Sequence, residues 1–127
     1  MSKEIIVELN RDDFSNLLNE ISSVLVIYFT ADWCKPCGLV KTHIRNHMTN
    51  LPDEIICAEL DVDNEENIDL FAYMKRYKQL VGIPSILMFH KEFENSSLAS
   101  VSGADKNKIN YFFKEVLNKH TKLMENN

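Results

Sequence analysis

Nowhere in its 127 residues does the chain hold an apolar run near the ~18 residues that a membrane-crossing helix needs, so a helical span is not expected. With only three Gly and three Pro it has no Pro/Gly/Ser-rich linker to divide it, and no segment repeats another. Positive charge is also short: a net charge of −5 and a pI near 5.3 give no electrostatic footprint for nucleic acid or for an anionic membrane. The first residues, Met1-Ser2-Lys3-Glu4-Ile5-Ile6-Val7-Glu8, place acid inside their only apolar stretch and lack a small-residue cleavage pattern. They do not read as a signal peptide, and the expected setting is cytoplasmic and reducing. Cysteine is scarce too. There are three, so any pairing leaves one over, and in a reducing compartment a close pair points to catalysis or metal binding before structure.

What is present suits one globular domain over residues 1–127. A 45% hydrophobic content in a chain of this length is enough to bury a core without staples. The apolar spacing predicts alternating strands and helices. Residues 4–9 read as a short strand. Asp12 or Asp13 offers an N-cap for a helix with Phe14, Leu17, Leu18 and Ile21 on one face. Val24 to Thr30 shows no polar alternation, the pattern of a central strand covered on both faces. Val40, Ile44, Met48 and Leu51 form the stripe of a helix reaching about Asn50, and Ile55 to Val62 reads as another buried strand.

Asp63-Asn64 can cap a helix carrying Ile68, Phe71, Ala72 and Met74. Gly82-Ile83-Pro84 precedes a strand at Ser85 to Phe89. A hairpin loop near Lys91 to Ser96 leads to its partner strand at Ser97 to Ser102. A last helix after Gly103-Ala104-Asp105 presents Ile109, Phe112, Phe113, Val116 and Leu117, with a frayed tail from Lys122. The expectation is an α/β fold: a mixed central sheet of about five strands flanked by four helices, its core at about 4–119.

The chemistry sits at Trp33-Cys34-Lys35-Pro36-Cys37, where the central strand meets a helix. A helix start offers unpaired N–H groups and the positive end of the macrodipole, which favour an anion. A thiolate, the reactive form of cysteine, is therefore easier to form there. Pro36 is tolerated because the first turn has no N–H partner to lose. Zinc is the competing use of two cysteines at this spacing, since Cys34, Cys37, His43 and His47 form a superficial two-Cys, two-His set. In one continuous helix His43 would lie about 180° around from Cys34 and ~13 Å along the axis, and His47 farther still. Four ligands cannot then meet one ion, and no metal is expected.

Three separated segments carry a family resemblance. Ala31-Asp32-Trp33-Cys34-Lys35-Pro36-Cys37 is similar to the thioredoxin active-site segment, Gly82-Ile83-Pro84-Ser85 resembles that family's cis-proline loop, and Gly103-Ala104 stands where members carry a glycine closing the substrate groove. The resemblance implies a thioredoxin fold, an exposed nucleophile at Cys34 and a resolving thiol at Cys37. It also implies a substrate surface made by Trp33, Gly82, Ile83, Pro84 and Gly103. Four positions depart from the family's pattern. Tyr28 and Glu59 replace a buried Asp and a Lys that handle protons at the resolving cysteine, so the cation is lost, while Thr30 and Thr42 replace a Trp and a Pro. Tyr28, Glu59, Lys35 and Pro36 become the tuning residues. Lys35 should favour the Cys34 thiolate and raise the potential above the about −270 mV of thioredoxin itself, while Pro36 is typical of reducing members.

The resemblance implies a thioredoxin-type protein-disulfide reductase, a monomer with no cofactor besides its Cys34–Cys37 couple. Its partners would be disulfide-containing proteins and a thioredoxin-reductase-type electron donor. A thioredoxin-like binding module with weak or no catalysis, and a disulfide oxidase or isomerase, are the alternatives. Cys57 is expected to be a small buried hydrophobe.

Overall fold

The computed structural model describes residues 3–77, 79–91 and 96–125. Among them are four strands and four α-helices, in the order α1 (Arg11–Glu20), β1 (Leu25–Thr30), α2 (Lys35–Thr49), β2 (Ile56–Asp61), a 3₁₀ turn (Glu65–Asn67), α3 (Ile68–Arg76), β3 (Ser85–Phe89), β4 (Ala99–Ser102) and α4 (Lys106–Glu125). The sheet order is β2-β1-β3-β4. The thioredoxin-type architecture expected from the sequence is present, with one strand fewer. β1, buried along its whole length, is central as its composition predicts.

β1 and β2 run parallel, joined by α2, with Tyr28 opposite Glu59. β3 runs antiparallel to β1 and to β4. Its direction follows from where the chain re-enters the sheet. Residues 79–84 lead to the C-terminal end of β1, so that Ser85 pairs with Phe29 and Phe89 with Leu25. The two faces hold separate cores. Leu25, Ile27, Phe29, Leu87 and Phe89 pack with Phe14 and Leu18 of α1 and with Leu70 and Met74 of α3. Val26, Tyr28, Cys57, Ile86 and Met88 pack with Val40, Ile44 and Met48 of α2 and with Ile109, Phe112, Phe113 and Val116 of α4. Two apolar layers around one sheet are what a fully buried central strand demands.

Several boundaries differ from the sequence expectation. The strand expected at 4–9 shrinks to one bridge, Ile6 to Ala58, because only Ile6 exchanges backbone bonds with β2, through its N–H to Cys57 O and its carbonyl from Glu59 N. The cap of α1 is Asn10, whose Oδ1 accepts the Asp13 N–H at 2.8 Å. Asp12 and Asp13 fall inside the first turn, where their charge favours the dipole. Asn64 caps the 3₁₀ turn, and the face α3 buries is Leu70, Tyr73 and Met74, leaving Ile68 and Ala72 exposed. Fully buried Asn67 stands at the start of α3.

In α4 the apolar stripe continues to His120, bonded to Ser23 at 2.7 Å, and Leu117 faces outward. The helix persists to Glu125, so residues 122–125 are helical where fraying is expected. The loop expected near Lys91 to Ser96 lies largely outside the described residues.

Candidate active site

Cys34 is the N-cap of α2. Its extended backbone (φ −83°, ψ 108°) leads out of β1, and its Sγ accepts the Cys37 N–H at 3.2 Å. Pro36 occupies the first turn, where the missing N–H costs nothing. One helical turn brings the two cysteines to a Cα separation of 5.2 Å, and they are joined as a disulfide. The expectation of an exposed Cys34 needs correction, because only 6% of the residue is accessible, against 1% of Cys37. Ala31, Val62 and Ile83 pack around the sulfurs. What separates the two cysteines is access from one side. Cys34, and not Cys37, lines a groove of about 460 Å³ walled by Trp33, Lys35, Pro36, Val62, Phe71, Lys75, Gly82 and Ile83.

The Ile83–Pro84 peptide bond is cis. Ile83 O lies 3.9 Å from Cys34 Sγ, so the loop before β3 and the start of α2 form the two lips of the groove. Ser85 ties that loop down, its hydroxyl bonded to Gly82 O at 2.6 Å and to Ser102 at 2.9 Å. Gly103 is not part of the groove wall. It adopts φ +92°, which favours glycine, and donates its N–H to Pro84 O at 2.9 Å, holding the proline from behind. Trp33 projects into solvent, 68% exposed, and is fixed by Nε1–H donation to Asp63 Oδ2 at 2.6 Å. Asp63 in turn donates its N–H to Asp61 Oδ1.

The tuning residues lie deeper in the fold. Tyr28 is fully buried and its hydroxyl donates to Thr30 Oγ1 at 3.1 Å, the threonine standing where the family carries a second tryptophan. Burial raises the Tyr28 pKa, so the phenol is neutral at physiological pH and cannot act there as a base. Glu59 is not left without a cation. Arg45, two turns along α2, donates Nε and Nη2 to its two carboxylate oxygens at 2.7 and 2.6 Å. That bond holds the Arg45 guanidinium more firmly protonated than usual. α2 runs unbroken through Thr42.

His43 and His47 turn towards Asn110 on α4, away from the sulfurs, so the two-Cys, two-His set does not converge on one ion. Among the described residues no three His, Cys, Asp or Glu side chains cluster as metal ligands, and no helix is long and apolar enough to cross a membrane.

Sequence reasoning located the cysteines, Trp33, Gly82 and Ile83, but missed Val62, Phe71, Lys75, Asp63 and Arg45. Phe71 carried a signal as an apolar helix residue, which pointed to the core. Its ring lies at the groove beneath Lys75 Nζ, 5.5 Å from the ring centre.

Comparison with known proteins agrees with this geometry. The Thioredoxin family profile matches residues 5–115. A thioredoxin of Ophiophagus hannah is 27% identical over 103 residues, spanning 81% of this chain and 89% of its own. In fold, the chain is similar to Fasciola hepatica thioredoxin (TM-score 0.68, 21% identity, 88% of this chain and 99% of that one). It is also similar to a thioredoxin f2 solved in complex with ferredoxin:thioredoxin reductase (TM-score 0.66, 16% identity, 87% and 94%). With a paired Cys34–Cys37 at the head of a helix and a family profile covering most of its length, the chain belongs to the thioredoxin family and carries that family's thiol–disulfide oxidoreductase centre.

Proposed function

We propose that the protein is a protein-disulfide reductase whose electrons pass through Cys34 and Cys37. The observation that carries this reading is the asymmetry of the pair, since one sulfur borders a groove and the other is enclosed behind it. In the reduced protein the Cys34 thiolate attacks one sulfur of a substrate disulfide. An S–S bond forms between Cys34 and the substrate, and the other substrate sulfur leaves as a thiolate that takes a proton from water. Cys37, having given its proton to solvent, then attacks Cys34 Sγ. The second substrate sulfur leaves, and the internal disulfide closes. Two electrons have moved from the protein to the substrate.

The groove favours a peptide over a compact solute. Trp33, Val62, Phe71 and Ile83 give apolar walls, while the main chain at Ile83, beside Cys34, offers backbone bonding to a passing strand. Recharging requires an external dithiol donor, and the complex solved for the thioredoxin f2 with its reductase supports a reductase of that general kind. Such a cycle suits the cytoplasm, where the thiol pool is kept reduced.

Insulin reduction by dithiothreitol tests the reading. Wild type should accelerate precipitation of the insulin B chain, and Cys34→Ser should fall back to the uncatalysed rate. Wild type without acceleration would overturn the reductase and favour a binding module built on the same groove.

A further inference from the structure

On the outer side of the α2–α4 layer, His43 and His47 stand one turn apart on α2 and face Asn110 of α4. The Nε2 atoms of both rings lie 2.8 Å from the same atom, Asn110 Oδ1. The rings meet edge to face with centroids 4.9 Å apart, and His47 lies flat on Phe113 at 4.5 Å and 7°. Both histidines are half-buried and, with Asn46 and Asn50, line a surface hollow of about 250 Å³. We propose that His43, His47 and the amide oxygen of Asn110 form a binding site for a divalent transition-metal cation of the zinc, copper and nickel class.

The spacing is the first reason. Histidines at i and i+4 on one helix face are the pair with which helical zinc motifs hold their ion. Here the two Nε2–H groups already converge on one acceptor, Asn110 Oδ1, so once each ring moves its proton to Nδ1 the freed Nε2 lone pairs need no backbone movement to share a metal at ~2.0–2.1 Å. A rotation of the Asn110 side chain draws Oδ1 back to become the third donor, and water from the hollow fills the remaining position. Imidazole nitrogens select this class of metal, whereas calcium and magnesium prefer sites made wholly of oxygen. Stacking on Phe113 supports the His47 ring with its Nε2 aimed at Asn110 Oδ1 before any metal arrives. The site escapes the obstacle that excludes the set with Cys34 and Cys37, since its ligands are separated by one turn and by a helix-to-helix contact. It is independent of the disulfide.

An ion held there joins α2 to α4, and it should stabilise the folded chain by mass action. Untagged, oxidised protein is the material to use, because the closed Cys34–Cys37 pair then offers no thiolate. Calorimetric titration with zinc chloride, and in parallel with nickel chloride, should show one site of micromolar affinity. His43→Ala and His47→Ala should each weaken it by at least about 10-fold, and Asn110→Ala should weaken it less. Zinc should also raise the thermal midpoint of wild type and leave that of the His43→Ala/His47→Ala double variant unchanged. Absence of saturable binding up to about 1 mM metal, or binding that survives His47→Ala in a variant with native circular dichroism, overturns the proposal.

Discussion

Cys57 shows how one residue's surroundings fix its chemistry. It is fully buried on β2 among the side chains of α2 and α4, and burial pushes its thiol pKa up to about 11 from an ordinary value of 9.0. The fold therefore prefers the protonated form. That preference contributes its full stability below about pH 9 and is lost as the pH rises towards 11. Two pKa units at about 1.4 kcal/mol each amount to roughly 3 kcal/mol. Tyr28, also raised by burial, acts with the same sign and at higher pH. Urea unfolding followed from neutral to about pH 10.5 should show wild-type stability falling once the pH passes about 9, with a slope that Cys57→Ala flattens. A wild-type profile that stays level to about pH 10.5 would sink this account. The same burial keeps Cys57 out of the redox chemistry, and it should resist alkylation at neutral pH until the chain unfolds.

At the scale of elements, the N-terminal segment depends on a side chain where the sequence predicts a fifth strand. With only Ile6 bridged to β2, Lys3 is tied to Leu51 O and Pro52 O, and Val7 and Leu9 are tied by Asn67. This residue is fully buried, accepts the Leu9 N–H at 2.8 Å, and donates to Val7 O and Asp61 O, each at 3.1 Å. Asn67→Ala would leave the buried Leu9 N–H without a partner, while the Asp61 carbonyl keeps the Asn64 N–H, so a loss of about 1–3 kcal/mol is expected. Urea denaturation would measure it, and a loss below about 1 kcal/mol would show that the segment is held by its apolar contacts alone. Asn67 also explains what the sequence could and could not disclose. Val24 to Thr30 and Ser85 to Phe89 were legible because an unbroken apolar run carries its own strand signal. The cysteine pair was legible because chemistry and helix start lie in one contiguous stretch. Asn67 is recognised only by partners as far away as Leu9, and the Arg45–Glu59 bond joins α2 to β2 across the fold. The groove wall likewise brings Val62, after β2, to Phe71 and Lys75 of α3, and no local pattern marks the three as one surface.

For the whole molecule, redox state and stability are one linked quantity. Whatever free energy the disulfide adds to folding, the fold adds to the disulfide. Closing the ring of four residues from Cys34 to Cys37 restricts the unfolded chain by about 2 kcal/mol on the chain-entropy relation. Against this stand the forces that favour the open, reduced form. The Cys37 N–H already points at Cys34 Sγ, the α2 dipole contributes about 0.3–1 kcal/mol to an anion there, and Lys35 lies next in sequence. Ring closure outweighs them, so the oxidised protein should unfold at higher denaturant, by about 1–2 kcal/mol. The two opposing effects also place the potential. Equilibration with glutathione should find it above the about −270 mV of thioredoxin itself, because Lys35 is an added cation, yet low enough for net reduction. A value at or below that figure removes the role given to Lys35. A reduced form more stable than the oxidised one would make the molecule a donor of disulfides, and the direction of electron flow argued from the groove would have to be reversed.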